Sequence, residues 1–307
     1  MTRYLIKRLA GVIVLAFGIS VVVFLIIRLV PGNPAISILG TNAGNPALVA
    51  RLENQLGLNQ PITTQYVKWI GGVLQANFGY SYDQQLPVAT LIADNLGPTL
   101  ELTLFALVLT VVFGLILGVT AALKRNSAYD TVSMGTALTF LSLPSFWLGL
   151  VLLVIFAVQL HWFAVVGGSG FKGLVLPAVT LALGGIGFTA RFVRSSVIEA
   201  LRQQHVVTSR AKGLSRSAVL VKHVIRNSLL PVFTIVGLQT GNLLSGAVII
   251  ETVFSRPGLG RLLVNAILAK DYETVQAVVL VIALMYALVN FVVDILYPVL
   301  DPRIAYR

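Results

Sequence analysis

The chain has 307 residues, 57% of them hydrophobic and only 11% charged, with no cysteine, a net charge of +11 and a mean hydropathy of +0.90. Soluble domains carry about 25% charged residues, so this composition defines a polytopic membrane protein, and disulfides and thiolate metal sites are excluded. The positive charge does not read as a nucleic-acid surface, because the basic residues sit beside apolar spans, where they orient the chain and meet anionic headgroups.

The N-terminus, MTRYLIKRLAG, has the basic character of a signal peptide. The apolar run after it reaches Val30, too long for a secretory core, and no A-x-A site follows. A retained first span is therefore predicted at 9–30, with Arg28 able to snorkel to the interface.

Residues 31–98 predict a small helical segment. Leu48, Leu52 and Leu56 recur every four positions, as do Ile62, Tyr66 and Ile70, with Trp69 alongside. Asn45-Pro46 and Gln60-Pro61 mark helix starts, and Gly71-Gly72 weakens the second helix near its end. A spanning helix needs about 20 mostly apolar residues, which predicts five more spans at 100–123, 131–160, 174–197, 229–250 and 275–296. Pro144, within SLPSFW, gives the long third span a cause to break. The organisation is thus an N-terminus and first span at 1–30, an outer segment at 31–98, and an all-α core at 99–307 with a basic loop at 198–228.

The basic residues orient this arrangement. Arg3, Lys7, Arg8, Lys124, Arg125, Arg191, Arg194, Arg202, Arg210, Lys212, Arg216, Lys222, Arg226, Arg303 and Arg307 fall on one side if there are six spans. The long segment 31–98 carries only Arg51 and Lys68. With positive residues inside, both termini are expected in the cytosol and 31–98 outside.

Catalysis finds little support. There is no G-x-x-x-x-G-K-[ST], and Gly258 and Gly260 read as a turn. His161, His205 and His223 lack Cys or carboxylate partners at metal-ligand spacing. No Ser, His and Asp converge in this topology, which argues against a membrane hydrolase. A polar residue within a span is a functional candidate, here Glu101, Ser142, Ser145, Gln239, Asn242, Glu251, Asn290 and Asp294. Glu101, Glu251 and Asp294 lie near span ends and suit structural pairing. Gln239 and Asn242, with Gly237, Gly241, Ser245 and Gly246, form a small, polar stripe. Such a stripe suits close helix packing, or a path that holds polar solutes weakly.

The motifs in order carry a resemblance. They are Pro31-Gly32-Asn33-Pro34, Leu56-Gly57-Leu58-Asn59-Gln60-Pro61, Gly79-Tyr80-Ser81, Thr99-Leu100-Glu101-Leu102 and Leu143-Pro144-Ser145-Phe146-Trp147-Leu148. Arg210-Ala211-Lys212-Gly213-Leu214, Arg226-Asn227-Ser228-Leu229-Leu230-Pro231, Pro257-Gly258-Leu259-Gly260-Arg261 and Leu300-Asp301-Pro302-Arg303 follow. Along essentially its whole length the chain resembles the permease subunit of binding-protein-dependent ABC importers, in the dipeptide, oligopeptide and nickel branch.

The resemblance implies a six-span type I permease pairing with a second, homologous permease to form the translocation path. It implies two ABC ATPases carrying ATP and Mg, no cofactor on this chain, and an extracytoplasmic substrate-binding protein, at a bacterial or archaeal cell membrane. It places ATPase coupling on His205, Val206, Thr208, Ser209, Arg210, Ala211, Lys212 and Gly213. Val207 stands where the general pattern has Glu, and the gap from Gly213 to Pro231 is longer than in that pattern. Ser142, Ser145, Gln239, Asn242 and Ser245 are the candidate path residues. The expected cargo is a di- or oligopeptide, with a nickel complex or glutathione as alternatives. The rival class is a channel or ion-coupled secondary transporter, which would move solute without ATP.

Overall fold

The computed structural model describes residues 2–29, 33–166 and 170–300. Pro31, Gly32, Asp301, Pro302, Arg303 and Arg307 lie outside the described residues, as do the side chains of Arg3, Lys7, His205, Arg210, Arg216, His223, Arg226, Asn227, Leu230 and Pro231. The elements in order are α1 (Thr2–Leu29), α2 (Pro34–Leu39), a 3-10 turn (Gly40–Gly44), α3 (Pro46–Leu56), α4 (Ile62–Leu74), β1 (Tyr80–Ser81), β2 (Leu86–Pro87) and α5 (Val88–Leu123). Then come α6 (Ala128–Ser142), α7 (Ser145–Leu153) with a π-helical extension (Val154–Gln159), α8 (Gly170–Leu201), α9 (Gln204–Ala211), and α10 (Arg216–Val219) with a second π segment (Leu220–Ile225). The chain continues through α11 (Arg226–Val253), α12 (Leu259–Ala269) and α13 (Tyr272–Leu300).

Two compact units form. Among the described residues, one gathers 2–5, 100–256 and 289–300; the other gathers 6–99 and 257–288. In the first unit, Leu102, Ala106, Leu174, Leu181, Leu243, Ala247 and Ile250 bury together. Helices α5 and α8 approach closely because Gly114 and Gly118 leave room. A Cβ at either would lie 2.7 Å from the Thr189 side chain or 2.6 Å from the Ala190 carbonyl.

In the second unit, α1 packs on α4 through aromatic edges. Phe24 meets Tyr66 at 5.4 Å and Trp69 at 5.8 Å between ring centroids, and Ser20 Oγ bonds the Tyr66 hydroxyl at 2.8 Å. Arg28 does more than reach an interface: its Nε donates to Gln65 Oε1 at 3.0 Å, and its guanidinium lies 4.6 Å over the Phe24 ring. The predicted starts at Asn45-Pro46 and Gln60-Pro61 hold. Asn45 caps α3 by accepting from the Ala47 amide, and α4 begins directly after Pro61. The Gly72 carbonyl accepts the amides of Gln75 and Asn77 just past the end of α4.

Helix α5 starts at Val88, well ahead of the predicted 100, and runs through Pro98. A helical proline forfeits a backbone bond and costs about 3 kcal/mol. Burial offsets this: Val88 and Ile92 pack with Leu259, Ala277 and Val278. The polar side chains of this stretch are also occupied. The Gly258 amide donates to Asn95 Oδ1 at 3.0 Å and the Leu259 amide to Thr99 Oγ1 at 2.8 Å. These bonds cap α12 and occupy the first donors of the Pro257-Gly258 turn.

Among the described residues, four helices are long and apolar enough to cross a membrane: α1 within Arg8–Ile26, α5, α8, and α13 within Tyr272–Ile295. Helices α6 and α7 make a fifth if they form one broken span, bent by 105°. The break follows from Pro144, which lacks an amide donor, and from Leu143 before it, held extended at φ −84°, ψ 136°. The predicted span 229–250 lies within the 28-residue α11, where several side chains fall outside the described residues. The count of six therefore stands as a reading of the sequence.

Candidate coupling and path residues

The basic loop folds as a short helix fastened by one valine. Val206 is fully buried with Ala122, Val193, Val197, Ala200, Val219 and Val224, side chains from α5, α8, α10 and the π segment. Its neighbour Val207 is 59% exposed. Thr208, Ala211, Lys212 and Gly213 are exposed too, and Ser209 is partly so. Thr208 Oγ1 folds back onto the Gln204 carbonyl at 3.0 Å. Beyond α9 the Leu214 amide reaches the Ser209 carbonyl at 3.3 Å, and Gly213 adopts φ +82°. That is the left-handed helix ending expected of this glycine.

An ion pair missed in the sequence lies on α8. Arg194 Nε and Nη2 donate to Asp130 Oδ1 and Oδ2, each at 2.6 Å, and the Asn126 amide donates to the same carboxylate at 3.0 Å. Asp130 also sits in the first turn of α6, whose N-cap Ser127 accepts its amide. The signal was present: Asp130 is the sole acidic residue between Glu101 and Glu199. In the sequence Arg194 reads only as an orienting charge.

The candidate path residues divide. Gln239 is 7% exposed; its Nε2 reaches the Gly185 carbonyl of α8 at 3.5 Å, and its Oε1 accepts from Asn242 Nδ2 at 3.0 Å. Asn242 and Ser245 are exposed on α11. Gly237 and Gly246 serve packing, since a Cβ would meet Val293 at 2.3 Å and Leu181 at 2.8 Å. Ser142 donates to the Leu138 carbonyl within its own helix at 2.9 Å. Ser145 is half-buried at the start of α7, and no bond joins either serine to Gln239 or Asn242 among the described residues.

Glu101 pairs with Arg256, Oε2 to Nη2 at 2.5 Å, the structural pairing expected near a span end. His161 is exposed, its Nδ1 3.2 Å from the Gln159 carbonyl. The described residues contain no cluster of His, Cys, Asp and Glu that would hold a metal.

Long apolar helices with a basic segment between two of them define a multi-pass membrane protein. The chain belongs to the family of binding-protein-dependent transport system inner membrane components, which it matches over residues 114–306, with the family's N-terminal component matched over 1–103. It is the permease subunit of an ABC importer, and its relatives are transport subunits rather than enzymes. It is 42% identical over 307 residues, all of both chains, to the glutathione transport system permease protein GsiC of Salmonella choleraesuis (strain SC-B67). Identity to GsiC of Escherichia coli (strain K12) is 41% over the same length.

The fold is similar to that of the MetNI methionine ABC transporter in an inward-facing conformation, with a TM-score of 0.61 and 19% identity over 69% of this chain and 96% of that one. An amino acid ABC transporter with histidines gives a TM-score of 0.50 and 16% identity over 70% and 94%.

Proposed function

We propose that the chain forms half of the translocation path for a small peptide, with glutathione as the first candidate cargo. A second permease supplies the other half, two ATPases drive the cycle, and a substrate-binding protein delivers cargo from the side opposite the termini, which lie in the cytosol. The observation that carries the coupling assignment is the contrast between adjacent valines. Val206 is fully buried where α5, α8 and α10 meet, while Val207 is 59% exposed beside Thr208 and Lys212. A protein that grips the exposed face of α9 moves α8 through Val206, because packed side chains transmit displacement. An apolar Val207 suits a partner cleft better than it suits water.

The preference for glutathione over a longer peptide or a nickel complex rests on the full-length relatives, which are named for glutathione. Asn242 and Ser245 on α11 are the path residues this reading favours, offering amide and hydroxyl groups to a peptide backbone. Gln239 holds α11 against α8.

Co-purification of the tagged chain with the products of its neighbouring genes, then ATPase and uptake assays in lipid, tests the proposal. Capture of a second permease and two ATPases, with ATP-dependent uptake of labelled glutathione, is the expected result. A chain that purifies alone and conducts solute without ATP overturns it. Uptake of dipeptides or a nickel complex with glutathione excluded overturns only the cargo.

A further inference from the structure

The second unit contains a cavity of about 570 Å³ that neither the path nor the coupling helix uses. Its lining brings together the end of α1, α4, the turn before β1, and the start of α13. Pockets of this volume suit small solutes.

The chemistry of the wall is bipolar. Arg28 and Lys68 contribute cations; Glu273 and Asp83 contribute carboxylates; Trp69 supplies an apolar face. Arg28 and Glu273 are held in place, while Lys68 and Asp83 are exposed at the rim. Arg28 is fixed by Gln65 and the Phe24 ring. Glu273 Oε2 accepts the Tyr80 amide, while Asp271 takes the Ser81 hydroxyl, so the β1 turn is latched to the head of α13. This latch accounts for the glycine of the Gly79-Tyr80-Ser81 motif: a Cβ there would fall 2.1 Å from Glu273 Oε2. Arg28 and Glu273 lie within each other's field, yet they close no direct ion pair among the described residues.

A separate observation points to a ligand. Gln276 lines the same cavity, is only 4% exposed, and its Nε2 has no hydrogen-bond partner among the described residues. A buried amide donor left unmatched costs about 1–3 kcal/mol, and an acceptor bound in the cavity relieves that penalty.

We propose that this cavity binds a small solute carrying both a carboxylate and an ammonium group, that is, a short peptide, with Arg28, Lys68 and Gln276 taking its carboxylate and Glu273 and Asp83 its ammonium. The identity of the solute rests on the importer reading; the site itself is distinct from the path residues on α11. Carboxylate recognition by a guanidinium and an amide is charge-assisted and directional. The carboxylates in the lining add selectivity, because a simple anion brings them no cation. The site gives the permease its own holding place for cargo.

The test uses the assembled transporter in nanodiscs without nucleotide or binding protein. Radiolabelled glutathione is the probe, and glutathione with its amine acetylated is the competitor. Lys68→Gln and Gln276→Leu are each expected to weaken binding about tenfold. Lys172→Gln, at an exposed lysine that lies outside the cavity lining, is expected to leave it intact, and the acetylated competitor to displace the probe poorly. Co-purification of the ATPases with each variant shows that it has folded and assembled.

Binding lost in Asn242→Leu but retained in Lys68→Gln and Gln276→Leu places the solute in the path and overturns the proposal. No solute binding, with capture of the binding protein weakened in Lys68→Gln, makes the cavity a docking slot and overturns it equally. Failure of the importer reading is seen separately, as uptake that is indifferent to ATP.

Discussion

Arg194 grips both carboxylate oxygens of Asp130, joining α8 to the first turn of α6 through two bonds of 2.6 Å. The Asp130 side chain is 6% exposed and that of Arg194 is 26% exposed, so water competes little for the pair. One turn further along α8, Val197 and then Ala200 pack on Val206 of the coupling helix. The pair thus connects the element that holds α9 to the element that leads to the break at Pro144.

Asp130→Asn keeps the shape and removes the charge. Hydrogen bonds to charged groups contribute about 1.5–3 kcal/mol, so a loss of about 2 kcal/mol is expected, read as a lower thermal unfolding midpoint in detergent. Arg194→Lys, which lacks the planar fork, is expected to fall between Asp130→Asn and the parent. A midpoint unchanged in Asp130→Asn would show that the pair does not hold α6 to α8.

Gly213→Val tests the end of α9. Nothing lies within 4 Å of a Cβ built there, so the penalty is in the backbone alone. A non-glycine residue at φ +82° costs about 1–2 kcal/mol, enough to unwind so short a helix end. Uptake should fall while membrane insertion persists, and Gly213→Asn should retain more transport than Gly213→Val because asparagine enters this region more readily. Normal uptake by Gly213→Val counts against the coupling assignment.

The two valines separate anchoring from docking. Val206→Ala removes buried methyl groups, at about 0.8 kcal/mol per carbon, and should lower both stability and transport. Val207→Asp should leave the unfolding midpoint unchanged and weaken capture of the ATPases in a pull-down. Equal capture by the Val207→Asp variant would remove Val207 from the docking surface.

Gln239→Leu and Asn242→Leu are expected to differ. The first breaks the bond to the Gly185 carbonyl and should destabilise the α8–α11 contact. The second replaces an exposed side chain and should raise the concentration needed for half-maximal uptake with little change in stability. Identical kinetics for Asn242→Leu and the parent would return the whole stripe to packing.

The strongest sequence signals were local. Leu48, Leu52 and Leu56 marked α3, Asn45 its cap, Pro144 the broken span and Gly213 a helix end, because each rests on backbone geometry or periodicity within one turn. Val88 was hidden because propensity stops a helix at Pro98, whereas burial against Leu259 and Val278, remote in sequence, carries it through. Asp130 with Arg194 and Glu273 with Tyr80 were hidden for the same reason: the partners are 64 and 193 positions apart. Among the candidate site residues, spacing singled out Gln239 and Asn242 together. It gave no means of telling the buried amide from the exposed one, which depends on where α8 lies.

The bend at Leu143 and Pro144 has a consequence for the lipid. Helix α6 has 15 residues, about 22 Å at 1.5 Å per residue, short of a hydrocarbon layer of about 30 Å. With Leu143 and Pro144 extended, carbonyl groups in the last turn of α6 lose the amides that a continuous helix would give them. Acyl chains offer such groups nothing, so the corner must face protein or water. A polypeptide corner of this kind is itself a row of hydrogen-bond acceptors, able to take donors from a neighbouring helix, from water or from a polar solute.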